Sequence, residues 1–357
     1  MEILDCLRTM VEKNASDLFF RVGGTVRMRL NGQIVKLGDD IVNLTDMDFA
    51  LQRLLSEELR EFFKKSLDIE FAYYSQELKH RFRVSIFTQR NYPSIVIRNV
   101  PTFIKTMEEL GLPAETLKKL AMERRGIILL TGTMGSGKST TIASMIEYIN
   151  VNANRHIFTL EEPIEFTFQD KNCIINQREL GKDVSSYSAA LRSFTLQSPD
   201  VIYIGNIRDM ETMQAALTAA ETGVLVLSTL HTVNACQTAE RMINFFPPHQ
   251  HNQVCSQLSQ LLKGVISLRL IPTQDGSERV PASEVMLLSP TISRLIRENK
   301  IWEMNKFIED SEVFGMHSFD QSLVRLVKAG KVSVEEATSF SDNPDEFSLA
   351  LKGIKKR

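Results

Sequence analysis

The chain has 357 residues, more than one hydrophobic core usually organises, so two domains are expected, with room for a helical appendage. Its 43% hydrophobic and 24% charged composition is that of an ordinary folded soluble protein. Forty-two basic against 44 acidic residues leave a net charge of −2, so bulk charge calls for no polyanionic partner, although a local basic groove stays open.

The four cysteines, Cys6, Cys173, Cys236 and Cys255, stand far apart with no C-x-x-C pair, which argues against a structural zinc site and fits a reducing compartment. No stretch approaches the roughly 18 uninterrupted apolar residues of a membrane span. The N-terminus, MEILDCLRTMVEKNASD, lacks the basic region and long apolar core of a signal peptide, so a cytoplasmic product is expected. Within it Ile3, Leu4, Leu7, Met10 and Val11 recur at helical spacing, which predicts an amphipathic helix packed on its own domain.

Next along the chain, DLFFRVGGTVRMRLNGQIVKL alternates apolar and polar residues around Gly23, Gly24 and the turn Asn31-Gly32, the pattern of β-hairpins. Residues 46–65 are helical in pattern. DIEFAYYSQELKHRFRVSIFTQRNYPSIVIRNVP then supplies two or three more strands, so residues 1–99 form a small α+β domain. Residues 101–113 lack periodicity and read as a linker. From residue 115 the pattern is strand, loop, helix, repeated: GIILLTG with a helix over 138–148, HIFTLEE, VIYIG with a helix over 210–221, VLVLSTLHT and GVISLRLIP. Unalternating apolar strands separated by helices predict a mostly parallel sheet covered on both faces. Beyond residue 289 the chain is mainly helical, and its apolar positions around 292–296 and 323–327 read as the core faces of helices.

One motif is specific. Gly132, Thr133, Met134, Gly135, Ser136, Gly137, Lys138 and Ser139 fit G-x-x-x-x-G-K-[ST], after a predicted strand and before a predicted helix that continues with Thr140. Glycines let backbone N–H groups curl around phosphates, Lys138 neutralises the β and γ oxygens, and Ser139 reaches Mg²⁺. ATP with Mg²⁺ is therefore the expected ligand. Open α/β sheets bind ligands outside the carboxyl ends of their strands, so two neighbouring strand ends are drawn in. One carries Glu161, Glu162 and Glu165, which could hold metal-bound water or the attacking water, and which also read as solvated loop acids. The other carries Thr229 and His231, where a γ-phosphate sensor would sit.

Several stretches converge on one family. ASDLFF, RFRVSIF, GTMGSGKSTT, TLEEPIEF, VIYIGNIRDMETMQAALTAAETG, STLHTVNA, RMINFFP and SRLIREN make the chain resemble the type IV pilus retraction ATPases of the PilT/PilU type, within the secretion ATPase superfamily. The match runs in order over almost the entire length, and ERMINFFPPHQHNQ, LRLIPTQDG and GMHSFDQSLVRLVKAGK are more similar to the PilU branch. The resemblance implies an α/β protein with a PAS-like α+β N-terminal domain (1–99), a linker (100–114), a RecA-like P-loop ATPase core (115–288) and a helical C-terminal region (289–357). It further implies a homohexameric ring at the inner face of the bacterial inner membrane, working on a platform protein there, with a paralogous retraction ATPase as a further partner. Arg81, Arg83, Arg98 and Arg208 fall where arginines reach the nucleotide in trans, and Arg294, Leu295, Ile296, Arg297 and Glu298 fall on a motif tied to retraction.

Departures from the family pattern bear on the chemistry. Its Walker B strand ends in Gly-Glu, whereas this chain has Gly205-Asn206; Glu161-Glu162-Pro163 stands for Glu-Asp-Pro, Leu196 for an arginine and Val224 for a histidine. The Glu162 change keeps a carboxylate. An amide at Asn206 can hydrogen-bond a water but cannot take its proton, so hydrolysis is expected to be slow while ATP binding persists. A catalytically weak ring that acts through an active paralogue is the alternative. The tetracysteine zinc insertion and long N-terminal extension of assembly and secretion ATPases have no counterpart, and no basic, aromatic-interleaved patch suggests nucleic acid.

Overall fold

A computed structural model describes residues 2–353 other than 31, 101, 102, 195 and 277. The chain divides into two compact units, residues 1–103 with 165–167 and residues 104–164 with 168–357. Asn31 of the expected turn, the first residues of the expected linker and the last four of the tail lie outside the described residues.

In the first unit α1 (Ile3–Glu12) buries Ile3, Leu4, Leu7 and Met10 in the core. Strands β1 (Asp17–Arg21), β2 (Thr25–Leu30) and β3 (Gln33–Ile41) precede helices α2 (Leu44–Leu54) and α3 (Glu57–Ser66), and β4 (Asp68–Ser75), β5 (His80–Gln89) and β6 (Tyr92–Asn99) follow. They form a six-stranded sheet in the order β3-β2-β1-β6-β5-β4, antiparallel throughout. Strict alternation puts Phe82, Val84 and Ile86 of β5 into the core and turns Arg81 and Arg83 to the other face. The helical run over 46–65 is two helices: Asn43 caps the first with Asp46 in a capping box, and Ser56 accepts from the Leu59 amide to start the second.

The second unit begins with α4 (Ala114–Ala121), then alternates β7 (Gly126–Thr131), α5 (Lys138–Asn152), β8 (His156–Glu161), β9 (Ile174–Glu179), α6 (Tyr187–Phe194), β10 (Val201–Ile204), α7 (Met210–Glu221) and β11 (Leu225–Leu230). Helices α8 (Ala235–Asn244) and α9 (His251–Leu261) lead to β12 (Leu262–Pro272) and β13 (Arg279–Leu287). The seven-stranded sheet runs β13-β12-β7-β11-β10-β8-β9, parallel except for β13 against β12. Its apolar strands do not alternate because both faces are covered: Ile127 and Leu129 of β7 pack under the layer of α6 to α10, Ile128 and Leu130 under α4 and α5. The phosphate-loop helix extends a turn beyond the expected 148, to Asn152.

The tail supplies α10 (Pro290–Arg297), α11 (Met304–Asp310), α12 (Phe319–Lys328), α13 (Val334–Phe340) and α14 (Pro344–Leu351). It is no separate body. Phe319, Leu323, Ala337 and Phe347 close a small core over Ile271 of β12 and Ala282 of β13. Among the described residues no helix is long and apolar enough to cross a membrane.

Candidate functional site

Because β12, β7, β11, β10 and β8 are adjacent and parallel, their carboxyl ends share one edge, and the motif residues of the second unit collect there. The turn 132–137 leaves β7 and enters α5 through Gly137, which holds φ +95°. Gly132 has no substitute. At φ +138° an added Cβ would lie 2.5 Å from the Leu268 carbonyl oxygen of β12 and 2.5 Å from Ser136 Oγ. β12 thus backs the turn and keeps it tight. Lys138 is buried, and its Nζ donates to the carbonyls of Gly132 and Thr133 at 2.8 Å each, while Thr141 Oγ1 donates to Gly137 O. Ser136 Oγ is buried without a partner in the structure. Thr133, Met134 and Gly135 are exposed at the tip, and Ser139 and Thr140 stand half-buried in the first turn of the helix. An ammonium held by two loop carbonyls, an unused hydroxyl and the amino end of a 15-residue helix form an arrangement suited to a polyphosphate.

β11 pairs with β7 so that Leu230 faces Thr131, which brings His231 beside the start of the turn. Partial desolvation, then the charges of Lys138 and Arg208, hold the His231 ring below its ordinary pKa, so it favours the neutral form. Thr229 Oγ1 donates to the Gly205 carbonyl at 2.6 Å, and the Ile207 amide returns to Thr229 O at 3.2 Å. These bonds fix the Gly205-Asn206 turn at the end of β10. Gly205 is pressed on β8, its amide donating to Leu160 O at 2.8 Å, and an added Cβ would meet that oxygen at 3.2 Å. Next to it, Asn206 Oδ1 is buried and has no hydrogen-bond partner in the structure. This buried, unused amide oxygen lies at the same sheet edge as the glycine turn and can accept a hydrogen bond from a water.

The carboxylates at and just after the end of β8 are less free than their position in the chain suggests. Glu161 is 5% exposed and accepts from Thr159 Oγ1 at 2.6 Å and from Gln177 Nε2 at 3.3 Å. Glu162 faces solvent but pairs with Arg208 at 2.8 Å. Arg208, expected to serve a neighbouring subunit, is therefore engaged within its own chain. Glu165 groups with the first unit instead. A hydroxyl such as that of Ser139 and a carboxylate such as that of Glu161 are hard oxygens, the donor type that suits Mg²⁺. Sequence reasoning missed Tyr187, at the start of α6. Its phenol oxygen would lie 3.6 Å from a Cβ on Gly205, and burial, then the Glu162 charge, push its pKa up to about 12. No motif marks a lone tyrosine at a helix start.

The first-unit arginines lie on one face of their own sheet. Arg83 and Arg98 are directly opposite in register, with Arg81 two residues along β5. Arg83 pairs with Glu70, and Asp17 accepts from both Arg98 Nε and Arg29 Nε at 3.2 Å. The SRLIRE stretch forms most of α10, capped by Ser289 and packed on α9. Leu295 and Ile296 are buried in the main core, Arg294, Arg297 and Glu298 are exposed, and Ser293 Oγ donates to Ser259 O. One helix thus serves the core with its apolar face and leaves its charges outward.

A family model described as "Type II/IV secretion system protein" matches residues 2–339. The chain is 40% identical over 352 residues to the type IV pilus ATPase PilU of Pseudomonas aeruginosa, covering 99% of this chain and 92% of that protein. It is 38% identical over 347 residues to the type IV pilus retraction ATPase PilT of the same organism, covering 97% and 100%. The crystal structure of the pilus retraction motor PilT with bound ADP superimposes with a TM-score of 0.89 at 38% identity, covering 97% of this chain and 98% of that one.

Proposed function

Because the chain belongs to the type II/IV secretion system protein family, we propose that it is an ATP-binding subunit of a motor that drives or assists type IV pilus retraction. In this reading the first unit is PAS-like and the second RecA-like. Six copies close a ring at the cytoplasmic face of the inner membrane, and Arg81, Arg83 and Arg98 reach the nucleotide of a neighbour. Arginine suits that task because its planar fork spreads over phosphate oxygens.

At the site, Lys138 exchanges its two loop carbonyls for β and γ phosphate oxygens, and the backbone of 132–137 supplies N–H donors. Ser139 and Glu161 would offer oxygens to Mg²⁺, which would supply neutralisation of charge on the transferred phosphate. His231, kept neutral, offers a hydrogen bond at the γ end. Asn206 carries the reading of turnover. It stands at the end of β10 where the family resemblance implies glutamate, its oxygen buried and unused, and it can orient a water without accepting the proton. Glu161 cannot swing to replace it without breaking two hydrogen bonds, and Glu162 is held by Arg208. Binding without brisk hydrolysis follows.

Those two constraints also favour a second reading, in which the ring binds ATP as a conformational ligand and works through an active paralogue. Calorimetric titration with MgATP, beside ATP turnover measured with and without a retraction paralogue from the same cell, separates the cases. The expected result is ATP binding that Lys138→Ala abolishes, with little turnover alone. Brisk turnover by the isolated protein overturns the assignment of Asn206, and absence of binding overturns the whole proposal.

A further inference from the structure

Behind the phosphate loop a row of polar side chains crosses three strands inside the core. Register places Thr131 of β7 beside Ser267 of β12, and Ser267 beside Glu284 of β13. Thr131 Oγ1 donates to Ser267 Oγ at 3.0 Å, and Ser267 Oγ donates to Glu284 Oε1 at 3.4 Å. The same Oε1 accepts the Ala235 amide at 2.6 Å. Thr131 immediately precedes Gly132, and Ala235 opens α8 four residues after His231. Thr131 and Ser267 are 0% exposed and Glu284 5%.

Helix capping does not account for the acid. α8 already has Asn234 as its cap, whose Oδ1 accepts the Gln237 amide at 2.9 Å, and a glutamine at 284 would accept from Ala235 as well. A buried carboxylate costs more than a neutral acceptor unless its charge has a use. We propose that Glu284 is a positioning residue for the nucleotide site, a carboxylate that ties the phosphate-loop strand to the His231 loop and tightens both when it ionises. The inference rests on the nucleotide-site reading above.

Burial pushes the Glu284 carboxyl up to about 7, partly offset by the Ala235 amide and Ser267. The charged and titratable groups around it come from β12, α8 and the tail. Arg269 of β12 and Asp342 form an ion pair at 2.6 Å, burial holds the Cys236 thiol of α8 up at about 12, and His317, bonded to Ser283 Oγ, is held down at about 4. An ionised acceptor makes hydrogen bonds roughly twice as strong as a neutral one. The tie therefore strengthens as pH rises through neutrality.

The test measures the affinity of fluorescent ADP with Mg²⁺ from pH 6 to pH 8.5 in full-length wild type, Glu284→Gln and Ser267→Ala. The two Glu284 forms are expected to bind alike at pH 6, and wild type to bind about tenfold tighter at the alkaline end, from the difference between charged and neutral hydrogen bonds. Ser267→Ala should lose the alkaline gain while the Ala235 amide keeps its protection from hydrogen exchange, because only the arm to the phosphate loop is cut. Parallel profiles for wild type and Glu284→Gln, with binding intact, overturn this inference alone. Failure of wild type to bind at any pH overturns the nucleotide-site reading beneath it.

Discussion

On the proposed reading, replacing Asn206 with glutamate should supply a proton acceptor that the amide cannot be. The amide oxygen is buried without a partner, so the new side chain enters a place with unused acceptor capacity, and no existing bond to Asn206 Oδ1 is broken. Lys138 and Arg208 both act on His231 nearby, and such positive charges favour the ionised form of an added carboxylate. A positioned general base contributes roughly 10²- to 10⁴-fold. The lower end applies because the amide already orients water, so turnover should rise about 100-fold, close to 2.7 kcal/mol off the barrier. Steady-state phosphate release at saturating MgATP reads the effect, with calorimetry confirming that affinity is unchanged. A rise below about threefold, with binding intact, refutes the reasoning. It would mean that the held positions of Glu161 and Glu162, and not the missing base, limit the chemistry.

Gly132→Ala places a methyl 2.5 Å from a backbone carbonyl that β12 cannot withdraw, at a φ that L residues avoid, and should cost about 3 kcal/mol of stability as well as nucleotide binding; thermal unfolding and calorimetry check both. Arg294→Ala removes an exposed side chain from α10, so stability should change by less than about 0.5 kcal/mol and ATP binding not at all, while pilus retraction in cells is lost. Retraction left intact would remove the motif's assigned role. Glu284 binds its proton more tightly folded than unfolded, so its contribution to stability is complete below pH 4.5 and is lost as pH rises through about 7, on the order of 3 kcal/mol. His317 works in the opposite sense: its folded value of about 4 makes the stability it contributes, present above 6.5, disappear as pH falls. The two mask one another in the whole curve. Denaturant unfolding of wild type against Glu284→Gln isolates the first, and a difference flat with pH would contradict it.

The glycine turn between β7 and α5 was legible because it is local: eight contiguous residues carry both the glycines that permit the turn and the lysine it surrounds. Strand identity was legible for a similar reason, since a sheet covered on both faces leaves an unbroken apolar run such as Gly126–Thr131. The identity of Asn206, an amide that cannot accept a proton, is likewise a property of one residue. What these side chains touch is not. Glu161 looks like a free acid at a strand end, and only the parallel pairing of β8 with β9 brings Gln177 alongside to anchor it. Arg208 looked outward until the turn after β10 set it against Glu162.

Most of all, the row from Thr131 through Ser267 to Glu284 has no sequence signature. Its first two members lie 136 residues apart, and one of its strands, β13, was not anticipated at all. Local chemistry is written in adjacent residues. Register between distant strands is decided only when the whole core packs, because a slip of one residue would turn every side chain of the row to the other face.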